Sequence, residues 1–132
     1  MAGGIILVLL AKCGVFFMEV ITGKALSGVP EQVLEDLKRL NVPVYLSGYR
    51  QLCVAIPIFA SDVSQLMCGE LYPAVAQELG YVDWRAVEFA IRRTILAAWE
   101  NRDMDAWNEY FPGIAKAPSN KRFIATLAQR IK

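Results

Sequence analysis

Two apolar stripes at helical spacing, parted by four residues, constrain this chain more than any other feature. Leu71, Val75, Ala76 and Leu79 recur at three- and four-residue intervals, Gly80 to Asp83 intervene, and Trp84, Val87, Ile91, Thr94, Ile95 and Ala98 resume the same period. Residues three and four apart share one face of an α-helix, so each run must bury that face against something. Glycine adopts the left-handed backbone that closes a helix, and aspartate accepts hydrogen bonds from the first unpaired amides of the next one. The spacing therefore predicts helices over 71–79 and 84–100 joined at a tight corner, the outline of a helix-turn-helix.

The remaining segments read the same way. Pro30 sits in a first turn, and Val33, Leu34, Leu37 and Leu40 predict a helix ending near Asn41. NVPVYLSGY reads as an extended connection, because Pro43 biases Val42 away from helix. Tyr49, Leu52, Cys53, Ile56 and Phe59 form one stripe of a second helix that Pro57 is expected to kink or end, and Ser61 is expected to begin the next helical stretch. A short helix is expected over 104–110, then a loop, FPGIAKAPS, and then a last helix capped by Ser119 with Phe123, Ile124, Leu127 and Ile131 inward. The expected fold is all-α.

Charge is uneven along the chain although its sum is only +1. Residues 1–83 hold five Lys and Arg against eight acids, a net of −3, whereas residues 84–132 hold nine against five, a net of +4. The basic half is thus the C-terminal one. It contains the helix predicted over 84–100, where Arg85, Glu88, Phe89, Arg92 and Leu96 gather opposite the apolar side, with Arg93 at the edge. Arginine can bond a guanine edge in the DNA major groove through two N–H groups, and glutamate can accept from cytosine. Lys116, Lys121 and Arg122 around the last loop are placed to meet phosphates. An amphipathic helix with three arginines also serves as a plain solvated face, and Phe89 and Leu96 on that face also suit a protein contact. Trp84 and Trp99 read as core anchors.

Enzyme chemistry finds little support. The chain has no histidine, so the commonest general base and metal ligand is absent. Cys13, Cys53 and Cys68 form no C-x-x-C pair, which implies no zinc site and no disulfide framework and fits a reducing cytoplasm. Acid pairs such as Glu35 with Asp36, and Asp103 with Asp105, read as solvated charges or helix caps. The sequence implies no cofactor and no metal. The apolar stretch within residues 1–28 is broken by Lys12 and Glu19 into pieces too short to cross a bilayer, and no basic n-region marks a signal peptide. A packed arm, a start at Met18 and, less favoured, a membrane role all stay open for it.

Four ordered pieces, NVPVYLSGY, LYPAVAQEL, RAVEFAIRR leading into ILAAWENRD, and APSNKRFIA, carry a resemblance. From about Glu31 to its end the chain resembles the C-terminal DNA-binding effector domain of the stage-zero sporulation response regulator, the master transcription factor of endospore formers. The resemblance implies a compact bundle of about six helices containing a helix-turn-helix, over residues 29–132. It implies double-stranded DNA as partner, bound by a homodimer or tandem dimer, with Glu88, Arg92 and Arg93 near bases or phosphates and Asn120 helping to hold the backbone. Ala86 and Phe89 stand where the family typically has arginines, Arg93 where it has histidine, and Arg122 where its motif has an acid, so the family's operator preference is not expected to carry over. Only about thirty residues precede the matching pieces, without a clustered acidic pocket, and the expectation is an effector domain without a receiver domain or phosphorylation switch. The competing expectation is an interaction module on the same scaffold, with Ala86, Phe89 and Leu96 as its contact patch.

Overall fold

The stretch SGYRQLCVAIPIFAS has apolar residues on every side of a helix, and a helix of that kind belongs in the middle of a bundle. In the computed structural model, which describes residues 28–131, it does. Six α-helices are present among the described residues: α1 (Glu31–Arg39), α2 (Ser47–Ser61), α3 (Tyr72–Leu79), α4 (Trp84–Glu100), α5 (Met104–Tyr110) and α6 (Asn120–Gln129), with a π-helical turn (Met67–Leu71) leading into α3. α2 touches α1, α3, α4, α6 and the π turn. No helix among the described residues is long and apolar enough to cross a membrane. The apolar stretch before Gly28, with Cys13, Met18 and the readings attached to them, lies outside the described residues.

Capping chemistry sets the helix ends. Asn41 adopts a left-handed φ of 59°, and Val42 N–H and Asn41 N–H return to the carbonyls of Leu37 and Lys38, so α1 closes in a Schellman motif. Gly80, at φ 81°, closes α3 in the same region of backbone space. Asp83, Asp103 and Ser119 each accept a backbone N–H at the heads of α4, α5 and α6.

Several sequence expectations need correction. Ser61 ends α2 instead of beginning a helix, and its hydroxyl donates to the Ile58 carbonyl at 2.6 Å. Pro57 does not end α2, which continues for one more turn, because a proline removes a single hydrogen bond and burial of Ile56 and Phe59 holds the segment in place. SGY of the expected extended connection is already the first turn of α2. Beyond the single stripe expected there, Gln51, Val54 and Ala55 are buried as well.

Gly48 is what lets α2 and α4 approach closely. A β-carbon at that position would lie 2.1 Å from Thr94 Oγ1 and 2.4 Å from the Ala90 carbonyl oxygen. At the other side of the bundle Asp36, read from the sequence as a solvated charge, is fully buried. Its Oδ1 accepts from Tyr110 Oη at 2.6 Å and Gln32 Nε2 at 3.0 Å, and its Oδ2 accepts from Arg130 Nε at 2.8 Å. A buried carboxylate is tolerable because three donors replace its water. Trp107 fills the space between, with edge contact to Trp99, tilted contacts to Phe111 and Phe123, and Nε1 donating to the Leu40 carbonyl at 3.2 Å.

Candidate nucleic-acid interface

The period that buries Val87, Ile91, Thr94, Ile95 and Ala98 leaves the other side of α4 to solvent. Arg85, Phe89, Arg93 and Leu96 are exposed there, and Glu88 and Arg92 are half-buried. At the head of the helix Asp83 Oδ1 accepts from Arg85 N–H at 2.9 Å, and its Oδ2 lies 3.1 Å from Arg85 Nη1. The backbone bond is the main cause holding the Asp83 carboxyl below its ordinary value of 3.8. A depressed carboxylate contributes stability above that ordinary value, and the contribution is lost as the pH falls through the lowered one, so acid loosens the head of α4. The Arg85 side chain is 72% exposed, and an ion pair so open to water holds its arginine only weakly.

Trp84 is half-buried at the corner, its ring stacked on Tyr72 at 6.1 Å and 9° between planes. This contact fixes the joint between α3 and α4, consistent with its reading as an anchor. Tyr72 is buried, and burial lifts its phenol above the ordinary value, with the Asn120 amide bond pulling the other way. The Asn120 amide donates to Tyr72 Oη at 3.1 Å and to the Glu88 carbonyl at 3.2 Å, joining α6 to α3 and α4. Arg92 Nη1 donates to the Pro118 carbonyl at 2.6 Å, with Asn120 Oδ1 at 3.5 Å.

These ties shape an open groove between α4, the π turn and the head of α6. Arg85, Glu88, Phe89 and Arg92 line it from α4, Lys116 from the preceding loop, and Asn120 and Lys121 from α6. Seven of the nine residues singled out in the sequence therefore share one surface. Arg93 and Arg122 do not line the groove: Arg93 lies over the Phe89 ring at 6.0 Å and Arg122 over the Phe111 ring at 5.6 Å. Asn120 is placed differently from what the resemblance implies, with its amide turned into the fold and only 7% of the residue exposed. Arg92 likewise spends part of its guanidinium on the fold.

Sequence reasoning missed Met67, Cys68 and Tyr72 in the groove wall. Leu71 N–H reaches back five residues to the Leu66 carbonyl at 3.0 Å, and that π-type bond puts Met67 and Cys68 out of the 3.6-residue period on which the reading relied. The buried Asn120 joint carries a direct expectation. Asn120→Ala should cost about 2 kcal/mol of stability, since the buried Tyr72 hydroxyl and the Glu88 carbonyl both lose the amide that donates to them. Urea denaturation checks this, and a loss below about 0.5 kcal/mol would show the joint to be unimportant.

Four cations from two helices and a loop face one carboxylate in the groove, an electrostatic setting for an anion. Comparison with known families agrees in extent with the bundle just described. Residues 33–131, three quarters of the chain, match the family described as Sporulation initiation factor Spo0A C terminal. The match runs from the first turn of α1 to the end of α6 and takes in every groove residue named above. With that coverage, the chain belongs to the family of the sporulation initiation factor Spo0A C-terminal domain.

Proposed function

We propose that this protein is a sequence-specific transcriptional regulator that binds double-stranded DNA with α4 in the major groove. In this reading residues 29–132 are the DNA-binding domain and residues 1–28 a separate apolar segment. Arg85, Glu88, Phe89 and the part of Arg92 not engaged with Pro118 address base edges. Lys116, Lys121, Arg93 and Arg122 address phosphates, and Asn120 holds the wall of the groove in shape. The observation that carries the reading is the meeting of Arg85, Arg92, Lys116 and Lys121 in one groove along the second helix of a helix-turn-helix. A major groove admits an α-helix, and cations flanking that helix supply the phosphate contacts that fix its register. Family membership supports the same partner, and in this reading the protein occupies it as a homodimer or tandem dimer. The interaction-module alternative has Phe89 and Leu96 exposed in its favour, but the cations around Phe89 suit a polyanion better.

Arg85 and Lys121 make cleaner probes than Arg92, whose removal would also break the bond to Pro118. Arg85→Ala should weaken binding to a preferred duplex by about 1–3 kcal/mol and narrow the difference from a scrambled one. Lys121→Ala should weaken both alike and reduce the slope of log affinity against log salt by about 1. Fluorescence anisotropy across a salt series measures both. Equal, negligible affinity of the unaltered chain for every duplex would end the proposal.

A further inference from the structure

Phe89 is 65% exposed in a groove that also carries Arg85, Glu88, Arg92, Lys116 and Lys121, and no core contact explains a ring left in water there. It stands one turn after Arg85 and one turn before Arg92 on α4, so a partner that spans Arg85 and Arg92 also passes over the ring. We infer that Phe89 is a specificity-determining residue that recognises thymine through its C5 methyl group. The inference rests on the DNA-binding reading above and deepens it.

The argument is one of matching chemistry. A partner covering the ring must also meet the cations on either side of it, which points to a polyanion. Among the groups a major groove presents, donors and acceptors suit Arg85 and Glu88, and the thymine methyl is the apolar group that suits a phenyl ring. Helical side chains lean toward the N-terminus, so Arg93 from the next turn lies back over the ring, with its guanidinium carbon 6.0 Å from the centroid. That cation–π contact restrains a ring that stays 65% exposed and so open to a base. Glu88, beside it in sequence and in the groove wall, is placed for a cytosine amino group, so the pair can address one thymine and one cytosine within the same site.

The test uses the full 132-residue chain and a duplex that it selects from a randomised pool. Each thymine of that duplex is replaced singly by deoxyuracil, which removes the methyl and leaves every hydrogen-bonding group in place. At one thymine per bound copy the unaltered chain should lose about three- to fivefold in affinity, the worth of one buried methyl group. Phe89→Ala, at an exposed position outside the core, should bind the parent duplex more weakly, keep the salt slope, and show no further loss at that thymine. Phe89→Leu should retain part of the methyl effect. Uniform binding of all uracil duplexes, or an undiminished uracil effect in Phe89→Ala, would overturn the assignment while leaving DNA binding intact. A flat uracil scan with altered self-association of Phe89→Ala, measured by sedimentation, would assign the ring to a protein contact and likewise overturn it. If no duplex is enriched and none is bound in a salt-dependent way, the DNA-binding reading falls and takes this inference with it.

Discussion

Gly48→Ala is expected to destabilise the protein by about 3 kcal/mol and to lower its thermal midpoint by roughly 10–20 °C. One methyl group has so large an effect because of what it would strike. Its carbon would sit 2.1 Å from Thr94 Oγ1 and 2.4 Å from the Ala90 carbonyl oxygen, both well inside van der Waals contact. Thr94 cannot swing away cheaply, since it is buried and its hydroxyl already donates to that same Ala90 carbonyl at 2.8 Å. The carbonyl is backbone, so relief requires α4 to move off α2 and open the core around Val87, Ile91 and Ile95. The usual gain from replacing a helical glycine by alanine, about 1 kcal/mol, is too small to offset this. Thermal unfolding followed by circular dichroism gives the measurement. Adding Thr94→Ala should recover only part of the loss, because the Ala90 oxygen stays where it is. Full recovery, or a single-variant loss under about 1 kcal/mol, would mean that the two helices separate more easily than this contact implies. Since α4 also carries the groove, the same variant should weaken duplex binding even where it remains folded.

Asp36→Ala is expected to cost about 3 kcal/mol, comparable to the breaking of a buried ion pair. The carboxylate ties α1 to Tyr110 at the end of α5 and to Arg130 just past α6, and no apolar contact takes over those bonds when it is removed. Tyr110 is left buried with its hydroxyl unpartnered in this network, whereas Arg130, with its side chain 42% exposed, can turn to water. The tyrosine is therefore where most of the loss arises. Asp36→Asn, which keeps the shape and one acceptor, should lose less than alanine, and the order of the two variants in urea denaturation checks this. Alkali acts on the same joint. Burial, followed by the bond to Asp36, raises the Tyr110 phenol from 10.0 to about 12. A raised value means that its stabilisation is fully present below pH 10 and is lost as the pH rises toward about 12, and Asp36→Ala should flatten that decline.

The two positions with the largest expected effects were the ones least visible in the sequence. Gly48 lies in NVPVYLSGY, which Pro43 marks as an extended connection, and Asp36 beside Glu35 has the look of a solvated charge. The candidate site was more legible, because Arg85, Glu88, Phe89 and Arg92 follow from which side of one helix is apolar, and that is a local property. Lys116 and Lys121 joined them through charge and family resemblance rather than any geometric sign. Asn120 and Arg92 show the limit of both routes: a residue at a site can serve by bonding inward, as Asn120 does to Tyr72 and Glu88, without changing the pattern around it.

By itself the sequence determined the helical class, the corner at Gly80 to Asp83, the caps at Asp83, Asp103 and Ser119, and the two-sided character of α4. Those follow from backbone sterics, capping bonds and the 3.6-residue period, which act between residues a few positions apart. Tertiary structure alone decided that every residue of α2 from Gln51 to Ile56 is buried, that Asp36 meets Arg130 across 94 positions of chain, and that Asn120 reaches Glu88 across 32. It also decided that a π turn carries Met67 and Cys68 into the groove wall. These outcomes depend on which surfaces meet once the helices pack, and a side chain's neighbours in space are not written in its neighbours along the chain.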